Sequence, residues 1–262
     1  MSTIESGNRI TKELRKEIRD AICNVARICG EMLVHADRDS LRIESKQGQA
    51  NFVTKYDVSV EAYLREHLLQ IVPDAVFIGE ESETLSGVGA EHAFIVDPID
   101  GTTNFIKDYH ASAISIALLD EGQVVIGVVY NPYLDEMFWA EHGMGAFCNG
   151  ERIHVSDQPL ENGLVLFGTS PYDKELWKRS FDLAYAYFEK ALDIRRSGSA
   201  ALDLCSIAAG RAEVYFELQL SPWDYAAGSL IVEEAGGVVT DIDGEPIQFE
   251  RPSSILAQNK QR

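Results

Sequence analysis

The stretch Ala93-Phe94-Ile95-Val96-Asp97-Pro98-Ile99-Asp100-Gly101-Thr102-Thr103-Asn104-Phe105 constrains the fold more than any other part of the chain. Four apolar residues read as a buried strand, and two carboxylates three residues apart follow it, ahead of a Gly-Thr-Thr turn. Open sheets collect ligands at the carboxyl ends of their strands. A carboxylate this close to a core is costly unless something positive compensates it, and no Lys or Arg stands nearer in sequence than Lys107. Taken singly, Asp-Pro and Asp-Gly are ordinary turn dipeptides. Combined after a strand, they point to oxygen ligands for a hard divalent cation, with the N–H groups after Gly101 able to cradle an anion if a helix starts there.

Two further acidic positions follow the same logic. Ala75-Val76-Phe77 leads into Gly79-Glu80-Glu81-Ser82, where Glu81 reads as solvated. Trp223-Asp224 opens a patterned helix through Ala226, Ala227, Leu230, Ile231, Glu234 and Ala235 to a Gly236-Gly237 stop; an acid near that start is also favoured by the helix dipole. Asp57 precedes Val60, Leu64, Leu68 and Ile71 at helical spacing and reads as an N-cap, which would occupy one carboxylate oxygen and leave the other available.

The remaining pattern is mixed α and β. A long amphipathic helix carries Ile10, Leu14, Ile18, Ile22, Val25, Cys29 and Met32, and strands over 113–119, 124–130 and 137–140 form an antiparallel meander. Beyond about 150, strands (164–167, 191–194, 214–217) alternate with helices (174–190, 200–209 and the Asp224 helix). The 262 residues divide into an N-terminal α+β lobe, 1–148, with most of the acidic ligands, and a C-terminal α/β lobe, 149–262. A net charge of −19 disfavours a nucleic-acid partner. Cysteines at 23, 29, 148 and 205 lack metal or redox spacing and are expected as free thiols in a cytoplasmic protein without a membrane span.

Gly-Glu-Glu-Ser at 79–82, Asp-Pro-Ile-Asp-Gly-Thr-Thr-Asn-Phe at 97–105 and Trp-Asp-Tyr-Ala-Ala-Gly-Ser-Leu-Ile-Val-Glu-Glu-Ala-Gly-Gly at 223–237, supported by segments 51–57 and 195–203, resemble the inositol monophosphatase family of Mg²⁺-dependent, lithium-sensitive phosphatases. The resemblance covers nearly the whole chain and implies a layered αβαβα sandwich that works as a homodimer. It implies that Glu80, Asp97 and the Ile99 carbonyl hold one Mg²⁺, that Asp97, Asp100 and Asp224 hold a second, and that a third, looser ion sits by Glu80. The attacking water would be activated at Glu80 and by Thr102 backed by Asp57. Gly101, Thr102 and Thr103 would hold the phosphate, with Lys46, Asp100, Gly198, Ser199, Ala200, Glu217 and Asp224 toward a small phosphorylated sugar or polyol. Inositol-1-phosphate is the expected substrate, fructose-1,6-bisphosphate the rival, and a regulatory protein-binding role the alternative from another class. Asn51 departs from the Asp of many relatives, and the segment around Thr169 and Ser170 matches poorly.

Overall fold

The computed structural model describes residues 10–45, 52–82 and 85–259. In chain order its elements are α1 (Lys12–Val34), β1 (Glu44–Ser45), β2 (Phe52–Val53), α2 (Lys55–Ile71), β3 (Val76–Gly79), β4 (His92–Asp100), α3 (Thr102–Ile106), β5 (Ala113–Asp120), β6 (Gln123–Asn131), β7 (Glu136–Glu141), β8 (Gly145–Cys148), β9 (Glu151–Ile153), β10 (Leu164–Phe167), α4 (Lys174–Phe188), β11 (Asp193–Arg195), α5 (Ala200–Ala208), β12 (Val214–Leu220), α6 (Pro222–Glu234), β13 (Val238–Thr240) and β14 (Ser253–Gln258). Seven strands make one sheet in the order β3-β4-β5-β6-β7-β8-β9, antiparallel except where β3 lies parallel to β4. A second sheet has the order β11-β10-β12-β14-β13, parallel across its first three strands and antiparallel after them.

The two-residue period of a strand sorts the seven-stranded sheet into two faces. Phe94, Val96, Ile114, Ile116 and Leu118 join Ile18 and Ile22 of α1 and Leu64 and Leu68 of α2 in one core. Ala93, Ile95, Ala113 and Ala117 turn the other way, toward α5 and α6. Small residues on this second face let α6 come close: a Cβ on Gly127 would stand 2.6 Å from the Ala227 carbonyl oxygen. A third core, with Val165, Phe167, Val214 and Phe216, joins the five-stranded sheet to Ala184 of α4. The layers therefore run α1/α2, seven-stranded sheet, α5/α6, five-stranded sheet, α4, which is the expected αβαβα sandwich.

Local signals account for most boundaries. Thr11 caps α1, Ser199 caps α5, and Pro222 opens α6 at a position where its missing N–H costs nothing. One sequence expectation is corrected: the N-cap of α2 is Thr54, and Asp57 is the third helical residue, whose carboxylate reaches back to the Thr54 N–H in a capping box. The four cysteines are unpaired. Among the described residues no helix is long and apolar enough to cross a membrane.

Candidate metal and phosphate site

In a regular strand, residues three apart face opposite sides, so Asp97 and Asp100 need a special local geometry to converge. A bulge supplies it. Between Asp97 and Asp100 the β4 chain advances three residues while β5 retreats two, from Ser115 to Ala113. The extra residue turns Asp100 back to the side of Asp97, and Pro98, which has no N–H to give a ladder, falls inside the bulge. Ile99 is 1% exposed and packs into the α1/α2 core, leaving its carbonyl on the cavity side.

Asp224 arrives from the far end of the chain. Ser115, the register partner of Asp97, donates from Oγ to the Trp223 carbonyl at 3.2 Å and so fixes the start of α6 beside the bulge. Carboxylate oxygens of Asp97, Asp100 and Asp224 all lie within 4.8 Å of one another. Each is aimed by a backbone donor: Ile99 N–H to Asp97 Oδ1 at 2.9 Å, Ala201 N–H to Asp100 Oδ2 at 2.9 Å, and Ser221 N–H to Asp224 Oδ2 at 2.7 Å. Ser199 Oγ also donates to Asp100 Oδ2. Such outer partners orient ligands in metal centres. Glu80, in the turn after β3, lines the same cavity with its carboxyl in hydrogen-bonding reach of Asp97.

Gly101 takes a left-handed conformation, φ 91°, that permits α3 to start directly after the bulge. Thr102 Oγ1 lies 3.1 Å from both Asp57 Oδ1 and the Ile99 carbonyl oxygen. Asp57 is fully buried; its Oδ2 accepts from Thr54 N–H and Oγ1 at 2.7 and 2.6 Å. The capping box and the Thr102 contact thus use different oxygens of one carboxylate. Burial pushes the Asp57 carboxyl up, against the lowering pull of its Thr54 and Thr102 bonds.

The facing wall comes from the second half of the chain. Asn104 Nδ2 donates to the carbonyls of Ala111 and Ser197 at 2.7 and 2.9 Å, drawing the Ser197–Gly198 turn against α3. Gly198, Ser199, Ala200 and Glu217 all line the cavity of about 210 Å³ with the acidic cluster and Gly101, Thr102 and Thr103. Glu217 is nearly buried: Oε1 accepts from Ser170 N–H at 2.8 Å and Oε2 from the Tyr215 hydroxyl at 3.0 Å. The poorly matching segment is shaped by these bonds, which hold Ser170 at φ 41° and place Pro171 and Tyr172 on the cavity wall. Phe52, Arg196 and Asp203 line it too; Arg196 and Asp203 stand in the 195–203 segment, but nothing local in it marks them as cavity residues. Lys46 and Asn51 lie outside the described residues.

Among the described residues, six carboxylates and one guanidinium, that of Arg196, line this cavity. Burial, then the charges of Glu80, Asp100 and Asp224, push the Asp97 carboxyl well up. Burial raises Asp100 to about 6 against the lowering bonds from Ser199 and α5. Asp224 is pushed well up by burial and then by Asp100 and Glu80. Hard oxygen donors, pre-aimed, mutually repelling and short of positive charge, fit a divalent cation such as Mg²⁺.

A five-layer sandwich whose seven-stranded sheet carries such a cluster at the β4 bulge, beside the Gly101–Thr103 turn, defines the layered α/β sugar-phosphatase class. The chain belongs to the inositol monophosphatase family, whose family model it matches over residues 14–262. It is 40% identical over 223 residues to the Nus factor SuhB of Vibrio cholerae, covering 84% of this chain and 83% of that protein. It is 39% identical over 224 residues to the inositol-1-monophosphatase of Caulobacter vibrioides, covering 82% and 86%. The crystal structure of the extragenic suppressor protein suhB from Bartonella henselae superposes with a TM-score of 0.86 at 38% identity, over 93% of this chain and 94% of that one.

Proposed function

We propose that this chain is a Mg²⁺-dependent phosphomonoesterase that hydrolyses inositol-1-phosphate to inositol and phosphate. The observation that carries the reading is the convergence of Asp97, Asp100 and Asp224 beside Glu80 and the Gly101–Thr103 turn. Glu80, Asp97 and the Ile99 carbonyl would hold one ion, Asp97, Asp100 and Asp224 a second, and Glu80 a looser third. Bound there, Mg²⁺ supplies positive charge to the ester oxygens and the departing alkoxide and makes water more acidic.

The chain's own residues do the rest. N–H groups of Gly101 and Thr102 and the Thr103 hydroxyl hold the phosphate at the helix start. Thr102 Oγ1 takes the proton of the attacking water as it passes its own to Asp57 Oδ1, 3.1 Å away; a hydroxyl is too weak a base alone, and a buried carboxylate whose affinity for a proton is raised supplies the pull. Gly198, Ser199, Ala200 and Glu217, with Lys46, would face the polyol ring. Both Glu217 oxygens already accept protein bonds, so ring hydroxyls would meet its remaining lone pairs.

A phosphate-release screen with inositol-1-phosphate, fructose-1,6-bisphosphate and a nucleoside 3′-phosphate, with and without Mg²⁺, tests the reading. We expect Mg²⁺-dependent turnover led by the inositol ester. A preference for the bisphosphate would shift the assignment to a fructose bisphosphatase, and Mg²⁺-independent turnover would remove the mechanism.

The likeness to a protein named as a Nus factor favours a second reading, a regulatory role through protein contacts. Recovery of RNA polymerase on the tagged chain from its own cells would support it, and recovery of none would set it aside. Homodimer assembly belongs to the same proposal. Trp177, Phe181, Tyr185 and Phe188 leave an exposed apolar stripe along α4, the kind of patch that marks an interface. Light scattering is expected to give twice the chain mass, and a purely monomeric mass would count against it.

A further inference from the structure

Glu61 is an acid on α2 that none of the chemistry above uses, yet it is buried, 6% exposed. Its two oxygens serve different ends. Oε2 accepts from the Glu81 N–H at 2.8 Å, across 20 residues of chain, and Oε1 lies 3.2 Å from Arg65 Nη2 one helical turn on. Arg65 in turn lies over the Phe77 ring, 4.2 Å from its centroid, so the guanidinium is braced against β3 itself. The carboxylate also fits closely over Gly79: a Cβ there would meet Glu61 Oε2 at 2.3 Å. Glu61 therefore grips the chain on both sides of Glu80, the residue that β3 delivers to Asp97.

We infer that Glu61 is a positioning residue for Glu80, and that by fixing the backbone of residues 79–81 it sets the affinity of the ion Glu80 holds. The inference rests on the metal-site reading above. A carboxylate on a short turn has its own backbone as a hinge; an anchor on α2, which is itself packed into the core, removes that freedom before the ion arrives. Partners of this kind, one shell out from the ligands, change metal affinity by about 10- to 100-fold when removed.

The test is a Mn²⁺ titration of the full chain, read by electron paramagnetic resonance and calorimetry, on the wild type, Glu80→Gln, Asp97→Asn, Glu61→Ala, Glu61→Gln and Gly79→Ala. Glu61→Ala is expected to weaken by about 10- to 100-fold the class of Mn²⁺ that Glu80→Gln also weakens. Gly79→Ala, which displaces the same carboxylate from the opposite side, is expected to do likewise and carries the test if Glu61→Ala does not fold. Glu61→Gln keeps an acceptor for the Glu81 N–H and is expected to stay within about threefold of the wild type. A folded Glu61→Ala that melts lower but binds Mn²⁺ with unchanged affinity would overturn the inference and leave Glu61 a structural residue. So would a Glu61→Gln as weak as Glu61→Ala, since charge rather than the Glu81 bond would then be responsible. Failure of the parent reading looks different: Asp97→Asn would retain the wild-type isotherm, or the wild type would bind no Mn²⁺.

Discussion

Asp97→Asn is expected to leave the metal-free protein as stable as the wild type or more so, while abolishing the rise in melting temperature that Mg²⁺ gives the wild type. Asp97 is 2% exposed and faces Glu80, Asp100 and Asp224, so without an ion its charge opposes folding. The amide keeps Oδ1 for the Ile99 N–H and removes that charge. Mg²⁺ at a hundred times its dissociation constant would stabilise the wild type by about 2.7 kcal/mol, and Asn, a poorer and neutral ligand, forfeits this. The sign with pH follows from the raised carboxyls. Asp100 moves from 3.8 to about 6, and Asp97 and Asp224 move the same way. A group whose folded pKa is raised stabilises fully below its unfolded value and loses that contribution as pH climbs through the folded one. The metal-free wild type should therefore lose the Asp100 part of its stability as pH climbs from 3.8 through about 6, with Asp97 and Asp224 adding losses of the same sign, and the Mg²⁺-induced shift should be larger at pH 7 than at pH 5, where protons compete. Calorimetric scans of both proteins check it; equal Mg²⁺ shifts in the two would take Asp97 out of the ligand set. Turnover should fall at least about a thousandfold, because several kcal/mol of charge stabilisation depend on the ions.

Thr102→Ala should separate catalysis from metal binding. The hydroxyl sits between Asp57 Oδ1 and the Ile99 carbonyl, 3.1 Å from each, and belongs to none of the aimed carboxylates. Its loss is expected to lower kcat by about 10²- to 10⁴-fold, the range of a positioned proton-transfer group, with Mn²⁺ affinity unchanged and Thr102→Ser largely active. The capping box on Asp57 Oδ2 is untouched, so α2 should persist, although Oδ1 loses a partner in a buried setting at about 1–3 kcal/mol. A parallel drop in Mn²⁺ affinity and kcat would mean that Thr102 supports the ligand loop instead of moving a proton.

Much of this site is written locally. Asp97 and Asp100 stand out because they interrupt an apolar run, Asp224 because a Pro-Trp-Asp start precedes a long apolar pattern, and the β5–β7 meander because its alternation is broken only at Glu121-Gly122 and Asn131-Pro132. Asp57 reads as a cap three residues past the true one, because Thr54 completes a Thr-x-x-Asp version of the capping box and carries the stronger signal. The strands β8, β9 and β13 carry no such local signal: they span only three or four residues, and a sheet partner, not alternation, decides them. Tyr172, Arg196 and Asp203 reach the cavity only through the packing of two sheets around α5 and α6, a consequence of topology that no short window of sequence contains.

The seating of α6 against the seven-stranded sheet has a consequence for biosynthesis. Gly127 admits Ala227 and Ser115 holds Trp223, so the third acid of the cluster comes home only when α6 itself has emerged. A ribosome-bound chain stalled before Pro222 can complete strands β3 to β9 yet must carry an unfinished carboxylate cluster. The cluster of Asp97, Asp100 and Asp224 therefore closes only once α6 is made, and a chain cut before Pro222 lacks its third carboxylate however well the first sheet is formed.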